Sequence, residues 1–294
     1  MHKTVSIIFP NFNGGQEPLE CLDSIAKLAY PKSKIEVLVI DNNSTDGSPQ
    51  SIIKLFPWVK LIRLKENVGF IQAVNHGIHQ AKGAYIFIGN DDLVFSPASL
   101  GVLINYIEKN KDVGALGGKV YYKNFPQEIA SAGYMFDSWT GHIYCAQNSE
   151  KLKEVDWIQG CALLTTKLVI KKVGLFDEGF GFIYFEDTDF CFRVRQQGFK
   201  VTYLPTVEFW HGNTTTMNKN KPRKYYEWYK NKFRFMLKHL PLINICCIFF
   251  IQGFLVIPYR ALILQDGRFI AYLKGLAWNI KHLRETLKNR YATD

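Results

Sequence analysis

Three acids fall within four positions of "GFIYFEDTDFCFR" (181–193): Glu186, Asp187 and Asp189. Large apolar residues surround them, and an acid is costly to bury unless it is paired or ligates something. Asp189 and Arg193 are spaced i,i+4 and can pair on one helix face. Asp187 lies about 100° around the helix from Glu186 and points elsewhere. Acids in a first helical turn are also stabilised by the dipole and by free backbone N–H groups, so helix capping is the plain alternative. A second acidic group, "NDDL" (90–93), follows the apolar run "AYIFIG". Asp91-Asp92 after a strand suits a hard divalent ion, Mg²⁺ or Mn²⁺, bridging carboxylate to diphosphate oxygens. Two more polar groups, "PNFNGG" (10–15) and "DNNSTDGS" (41–48), each follow a β-branched run. Any one of these is ordinary turn chemistry. Their recurrence in order carries more weight.

The elements that must position them alternate. Strand signals cover 5–10, 35–40, 59–64, 84–89 and 113–122, and helix signals cover 18–29, 48–56, 69–81 and 96–110. This spacing predicts an α/β fold with a mostly parallel sheet and helices on both faces. Ligands in such sheets bind beyond the carboxyl ends of the strands, where three of these polar groups fall, while "EDTD" (186–189) lies near the start of a predicted helix. The pattern loosens over 123–165, which suits a mixed or antiparallel portion. The run "NTTTMNKNKPRK" (213–224) reads as a flexible loop and a boundary, giving a catalytic domain 1–215 and a C-terminal region 216–294.

Composition narrows the function. Apolar residues make up 47% of 294, enough for a sizeable core. The net charge is +10, but residues 216–294 hold 15 Lys+Arg and 4 Asp+Glu, so the remainder is close to neutral. That distribution speaks against a nucleic-acid partner and for a surface-binding appendage. Six cysteines form no CxxC pair, which suits a reduced, cytosol-facing location. The N-terminal apolar run stops at Pro10, too short for a signal peptide. No GxGxxG and no GxxxxGK[ST] occurs, which argues against a dinucleotide dehydrogenase and a P-loop NTPase.

The ordered set "VSIIFPNFNG", "VLVIDNNSTDGS", "ENVGF", "IGNDD", "WIQGCALLTT" and "GLFDEGFGFIYFEDTDFCFR", with His211, resembles the family 2 inverting glycosyltransferases of the GT-A fold. It is nearest their rhamnosyltransferase-like branch and covers about residues 3–215. The resemblance implies a nucleotide-diphospho-sugar donor and a glycan or lipid-linked acceptor in surface polysaccharide synthesis. It implies that Pro10, Asn11 and Asn13 line the nucleotide pocket and that Asp41 reads a uracil or thymine ring N–H. Asn43, Ser44 and Asp46 would shape that loop, with Asn67 and Gly69 near nucleotide and sugar. Asn90, Asp91 and Asp92 occupy the place of the DxD metal motif, Asn standing first, which leaves Asp92 as the carboxylate ligand. His211 matches a late metal- or diphosphate-binding histidine; a surface histidine is its plain alternative. The acid at the Asp187 position is the family's catalytic base, with Glu186 orienting the acceptor or supporting that base. A sugar-nucleotidyltransferase would want a basic phosphate loop near the N-terminus, and "PNFNGGQEP" has none. An inactive scaffold would have no need of Asp92, Asp187 and His211.

The C-terminal region adds a membrane. "ICCIFFIQGFLVI" (245–257) is shorter than the about 20 residues of a crossing and is bounded by Pro241, Asn244, Pro258 and Arg260. An interfacial segment is therefore expected rather than a full span. Phe269, Leu273, Leu276, Ile280, Leu283 and Leu287 form an apolar stripe with Lys274, Lys281 and Lys288 beside it, a basic amphipathic helix. Together 225–290 would meet the cytoplasmic face of the cell membrane. The alternative is a helical appendage packed on the catalytic domain or making a homodimer contact.

Overall fold

A computed structural model describes residues 3–145, 150–212, 220–264 and 267–290. Its chain divides into two compact units. The first comprises Met1–Met135, Cys145–Glu178 and Glu186–Asn213; the second comprises Phe136–Tyr144, Gly179–Phe185 and Thr214–Asp294. Two inner segments, 136–144 and 179–185, group with the C-terminal residues, a division that a single boundary after residue 215 does not describe.

The first unit opens with β1 (Val5–Asn11), α1 (Glu17–Ala26), β2 (Ile35–Asp41), α2 (Ser48–Leu55), β3 (Lys60–Arg63), α3 (Gly69–Gln80) and β4 (Tyr85–Gly89). It continues with β5 (Leu93–Phe95), α4 (Ser99–Lys109), β6 (Val113–Tyr122), β7 (Phe125–Ser131) and β10 (Lys153–Glu154), while β8 (Tyr134–Phe136) and β9 (Ile143–Cys145) each have residues in both units. Then follow β11 (Ala162–Thr166), α5 (Lys167–Val173), α6 (Glu186–Gln196) and β12 (Lys200–His211). The main sheet runs β10-β12-β6-β11-β4-β1-β2-β3, with β5 on β12 and β7 on β6. Neighbours β3-β2-β1-β4 are parallel, as are β6 and β12, and β11 lies antiparallel between β4 and β6. Strands β1 and β4 are buried along their whole length, which is why they read as continuous apolar runs rather than alternating ones. Each fully buried Ile, Leu, Val or Phe there contributes about 1.5–3 kcal/mol.

The second unit is mainly helical, with α7 (Lys221–His239), α8 (Leu242–Ile248), a π-helical stretch (Phe249–Val256), α9 (Ile257–Leu264), α10 (Arg268–Lys281) and α11 (Leu283–Arg290). The polar run expected as a loop over 213–224 is corrected in its second half. Asn220 accepts from the Arg223 N–H at 3.2 Å and Pro222 sits in the first turn, so α7 begins at Lys221; residues 213–219 lie outside the described residues. The apolar segment is also longer than expected. Helix runs unbroken from Leu242 to Leu264, beginning directly after Pro241 and passing through Pro258. The π turn makes this possible: Ile257 N–H bonds Gln252 O, five residues back, directly before the proline. By length and composition Leu242–Tyr259 could cross a membrane, with a mean hydropathy of 2.1. On α10 the buried side is Ala271, Tyr272, Gly275 and Asn279, while Phe269, Leu273 and Ile280 of the apolar stripe face outward.

Candidate active site

Strand register builds the first half of the site. In the parallel pairs Asn11 stands beside Asp41, and Asp41 beside Arg63, so three strand ends place these side chains in a row. Asn11 Nδ2 donates towards Asp41 Oδ1 (3.1 Å), Ser44 Oγ (3.1 Å) and Ser48 Oγ (3.0 Å). Asp41 is fully buried and also accepts from the Ser44 N–H, with Arg63 Nε 3.5 Å away. Arg63 Nη2 donates to Ser44 O at 2.8 Å. Asn13 and Asn43 hold left-handed backbone, φ +54° and +65°, a conformation Asn tolerates better than most residues. Asn13 Oδ1 accepts from Thr45 N–H (2.7 Å), and Gly15 N–H donates to Asp46 Oδ2 (2.8 Å). The loops after β1 and β2 are thus one interlocked polar cradle. Burial raises the Asp46 carboxyl, but hydrogen bonds from Ser48 and Gly15 outweigh it and hold the group below its ordinary range. Pro10 is buried in β1. Asn67 Oδ1 accepts from Gly69 N–H, and Gly69 (φ +85°) opens α3. Asn42, passed over in the sequence reading, is buried and donates to Gly69 O at 3.3 Å, tying the cradle to α3.

The second half gathers the acids. Antiparallel register sets His211 beside Leu93, and so next to Asp92. His211 Nε2 lies 2.9 Å from Asn90 Nδ2 and 3.0 Å from Asp92 Oδ1, with histidine and aspartate both buried. The surface-histidine alternative therefore fails. Asp91 faces the cradle instead. A Cβ placed on Gly14 would come within 2.6 Å of Asp91 Oδ2 and 2.7 Å of Asn11 Oδ1, so only glycine fits there. Burial, then the charge of Asp92, pushes the Asp91 carboxyl up to about 8.

These donors suit a hard cation. Asn11 Oδ1 is buried with no hydrogen-bond partner, and it faces the same small space as Asp91 Oδ2. Among the described residues no three His, Cys, Asp or Glu side chains form a complete cage. Mg²⁺ in phosphate chemistry is bound through one or two carboxylates plus substrate oxygens, so an incomplete cage is what it needs.

Asp187 sits in the first turn of α6. Its Oδ2 accepts from Gly160 N–H (2.8 Å) and its Oδ1 from Thr188 N–H (2.6 Å) and Thr188 Oγ1 (3.2 Å). Burial raises its pKa against the pull of those donors. A carboxylate has about four acceptor sites, so one on Oδ2 is left for a hydroxyl. Phe70 stands close to Gly160 on the same side. The Cys161 thiol feels both Asp92 and Asp187, which brings the two acidic groups within electrostatic reach of one point. Gly160 and Phe70 were not singled out from the sequence, although "WIQGC" and "ENVGF" both contain the signal. Glu186 is buried beside Asp187. Asp189 is spoken for: its Oδ2 accepts from Arg193 Nε at 2.8 Å, the i,i+4 pair expected from spacing.

A family model, glycosyl transferase family 2, matches residues 6–171. A relative from Mycobacterium tuberculosis, an N-acetylglucosaminyl-diphospho-decaprenol L-rhamnosyltransferase, is 29% identical over 60% of this chain, which spans 66%, just under two thirds, of its length. An uncharacterized glycosyltransferase of Rickettsia prowazekii is 30% identical over 75% of this chain and 69% of its own. Among solved structures, a mannosyltransferase from Pyrobaculum calidifontis in complex with GDP-Man and Mn²⁺ covers 96% of this chain and 76% of that one, with a TM-score of 0.61 and 17% identity. That likeness establishes the GT-A fold.

Proposed function

Because the chain belongs to glycosyl transferase family 2 and is a glycosyltransferase, we propose that it moves a sugar, rhamnose or a hexose, with inversion. The donor is a UDP- or dTDP-sugar and the acceptor a hydroxyl of a glycan or lipid-linked sugar in surface polysaccharide synthesis. The observation that carries this reading is Asp187, a part-buried carboxylate with a raised pKa and one acceptor site open. A base whose pKa is lifted towards working pH removes the acceptor proton more effectively than an ordinary carboxylate. Gly160 N–H and Thr188 hold Asp187 in one orientation, and Glu186 beside it orients the acceptor. Pro10, Asn11, Asn13 and Asn43 line the nucleotide cradle, with Asn67, Gly69, Asn90 and Asp91 nearer diphosphate and sugar. For Asp41 to read a ring N–H, the Arg63 guanidinium beside it must turn aside, since the carboxylate has no exposed surface. Mg²⁺ or Mn²⁺ held by Asp92 and His211 would offset the charge growing on the leaving diphosphate. The acceptor class takes support from the mycobacterial relative, whose name describes a lipid-linked diphosphate sugar.

We place the enzyme in the plane of the membrane's cytoplasmic face. Phe250, Phe254, Leu255, Tyr259 and Leu262 are exposed along the long helix, and Leu273 and Ile280 along α10. Gln252, midway along, accepts from Lys232 Nζ (2.9 Å) and donates to Thr140 O (2.8 Å). Lys232 Nζ also donates to Gly141 O. A spanning helix would carry this ammonium and turn into hydrocarbon, whereas a helix lying in the interface keeps them on its protein side. Basic side chains Lys274 and Lys281 suit anionic lipid.

Thermal-shift screening of UDP-, dTDP- and GDP-sugars with and without Mn²⁺, followed by transfer assays on lipid-linked acceptors, tests the reaction. Absence of both donor stabilisation and transfer would reject it. For the membrane, Phe250→Ser with Phe254→Ser should weaken binding to anionic vesicles; full retention of binding would count against docking through this face.

A further inference from the structure

The chain enters α6 through an unusual step. Tyr184 and Phe185 both hold left-handed backbone, φ +78° and +68°. Bulky aromatic residues adopt that region only where their surroundings over-determine it. Those surroundings belong to the second unit. Asn231 on α7 is fully buried and donates from Nδ2 to Ile183 O (2.8 Å) and Tyr184 O (3.0 Å). These two carbonyls lie in the rigid peptide planes on either side of the Tyr184 Cα. One side chain thereby locks both backbone dihedrals of Tyr184. Side chains lock the rest: the Phe185 ring packs 5.1 Å from Trp228 and 5.7 Å from Phe235, and the Phe180 ring lies 5.6 Å from the Arg234 guanidinium. Glu186 and Asp187 are the next residues in the chain.

We propose that Asn231 is a positioning residue for the base. By holding two successive carbonyls it fixes the left-handed step from which the chain enters the first turn of α6, where Asp187 lies. This rests on the reading of Asp187 as the base. It gives α7 a part in the chemistry that anchoring alone would not require.

The molecule supplies a matched control. Asn279 on α10 is also buried and also donates from Nδ2 to two carbonyls, Lys230 O (2.8 Å) and Gly275 O (2.9 Å), but it leads to no site residue. In the full chain, Asn231→Ala and Asn279→Ala remove equivalent hydrogen bonds and should lower the melting temperature by similar amounts. Only Asn231→Ala should lower kcat, by about 100-fold, with donor KM unchanged, since misplacing a reacting group by about 1 Å costs that much. Amide exchange in the first turn of α6 should quicken in Asn231→Ala alone. Equal kcat losses in the two variants, or a normal kcat in Asn231→Ala, would overturn the proposal. Should Asn231→Ala not fold, Tyr184→Gly loosens the same step without steric cost; it should lower kcat with little change in melting temperature, and a normal kcat there rejects the proposal equally. If the wild-type chain transfers no sugar, the functional reading fails by itself. Unchanged exchange at the start of α6 in Asn231→Ala would still reject the role of Asn231.

Discussion

The cradle formed by the loops after β1 and β2 and the acidic edge formed by Asp91, Asp92 and Asp187 treat their charges in opposite ways. In the cradle, Asp41 and Asp46 are met by Asn11, Ser44, Ser48, Arg63 and backbone N–H groups, and the Asp46 carboxyl titrates below its ordinary range. At the acidic edge burial prevails, and Asp91 and Asp187 are both raised. The first region is organised before anything binds. The second holds free energy that a cation or a proton releases, as sites that bind charge or transfer protons do.

The sharpest test of that contrast lies within one helix. Asp187→Asn should lower kcat by about 10²–10⁴-fold, because Asn keeps the shape but cannot take a proton. Donor affinity should stay nearly unchanged. Asp189→Asn should instead cost about 3–5 kcal/mol of stability by leaving the buried Arg193 without its carboxylate, with activity recovering at lower temperature. Transfer assays and melting curves on both variants decide the matter. A dead but folded Asp189→Asn beside an active Asp187→Asn would move the base.

A smaller effect is expected from the cradle. Asp41→Ala should weaken uridine or thymidine diphosphate binding by about 1.5–3 kcal/mol, the worth of one charge-assisted hydrogen bond, and should weaken guanosine diphosphate binding less. Calorimetry showing equal affinity of variant and wild type for the preferred nucleotide would remove Asp41 from the pocket. Where the two regions meet, Gly14→Ala should cost about 1–3 kcal/mol of stability through overpacking against Asp91, Asn11 and Pro18. An unchanged melting temperature would mean that the seam is looser than the structure describes.

The subtlest distinction is in pH. Asp91 has a folded pKa of about 8, above its unfolded value of about 4, so its stabilising contribution is present below pH 4 and is lost as pH rises through 8. Asp187 acts in the same direction. Asp46 is lowered, so its contribution is present above about pH 4 and is lost on acidification. In chelator, the melting temperature should therefore fall between pH 6 and 9, and Mg²⁺ or Mn²⁺ should restore it by favouring the ionised carboxylates. A flat profile over that range in chelator would contradict the assignment of the acidic edge.

Much of this was legible in the sequence, for reasons specific to each element. The strands at 5–10, 35–40 and 84–89 stand out because both faces are buried, and their polar ends stand out because the site begins where each strand stops. The pair Asp189–Arg193 follows from helical spacing alone. Arg63 does not, because its place beside Asp41 depends on the register of β2 and β3, a relation between residues far apart in sequence. Gly160 contributes a backbone N–H, which its residue type does not announce. The extent of the long apolar helix was hidden by Pro258, since a proline marks a stop unless a wider turn precedes it. Likewise the polarity of 213–224 concealed a capped helix start at Asn220.

The antiparallel insertion of β11 between β4 and β6 also sets an order of assembly. On a ribosome the parallel group β3-β2-β1-β4 is complete once residue 89 has emerged, and its β4 edge then waits, unpaired and wholly apolar, for a strand that ends at Thr166. Strand β6 is synthesised in that interval but cannot cover the edge, because β11 occupies the position next to β4. Nascent chains shorter than about 170 residues therefore present an open strand edge of the kind that templates aggregation.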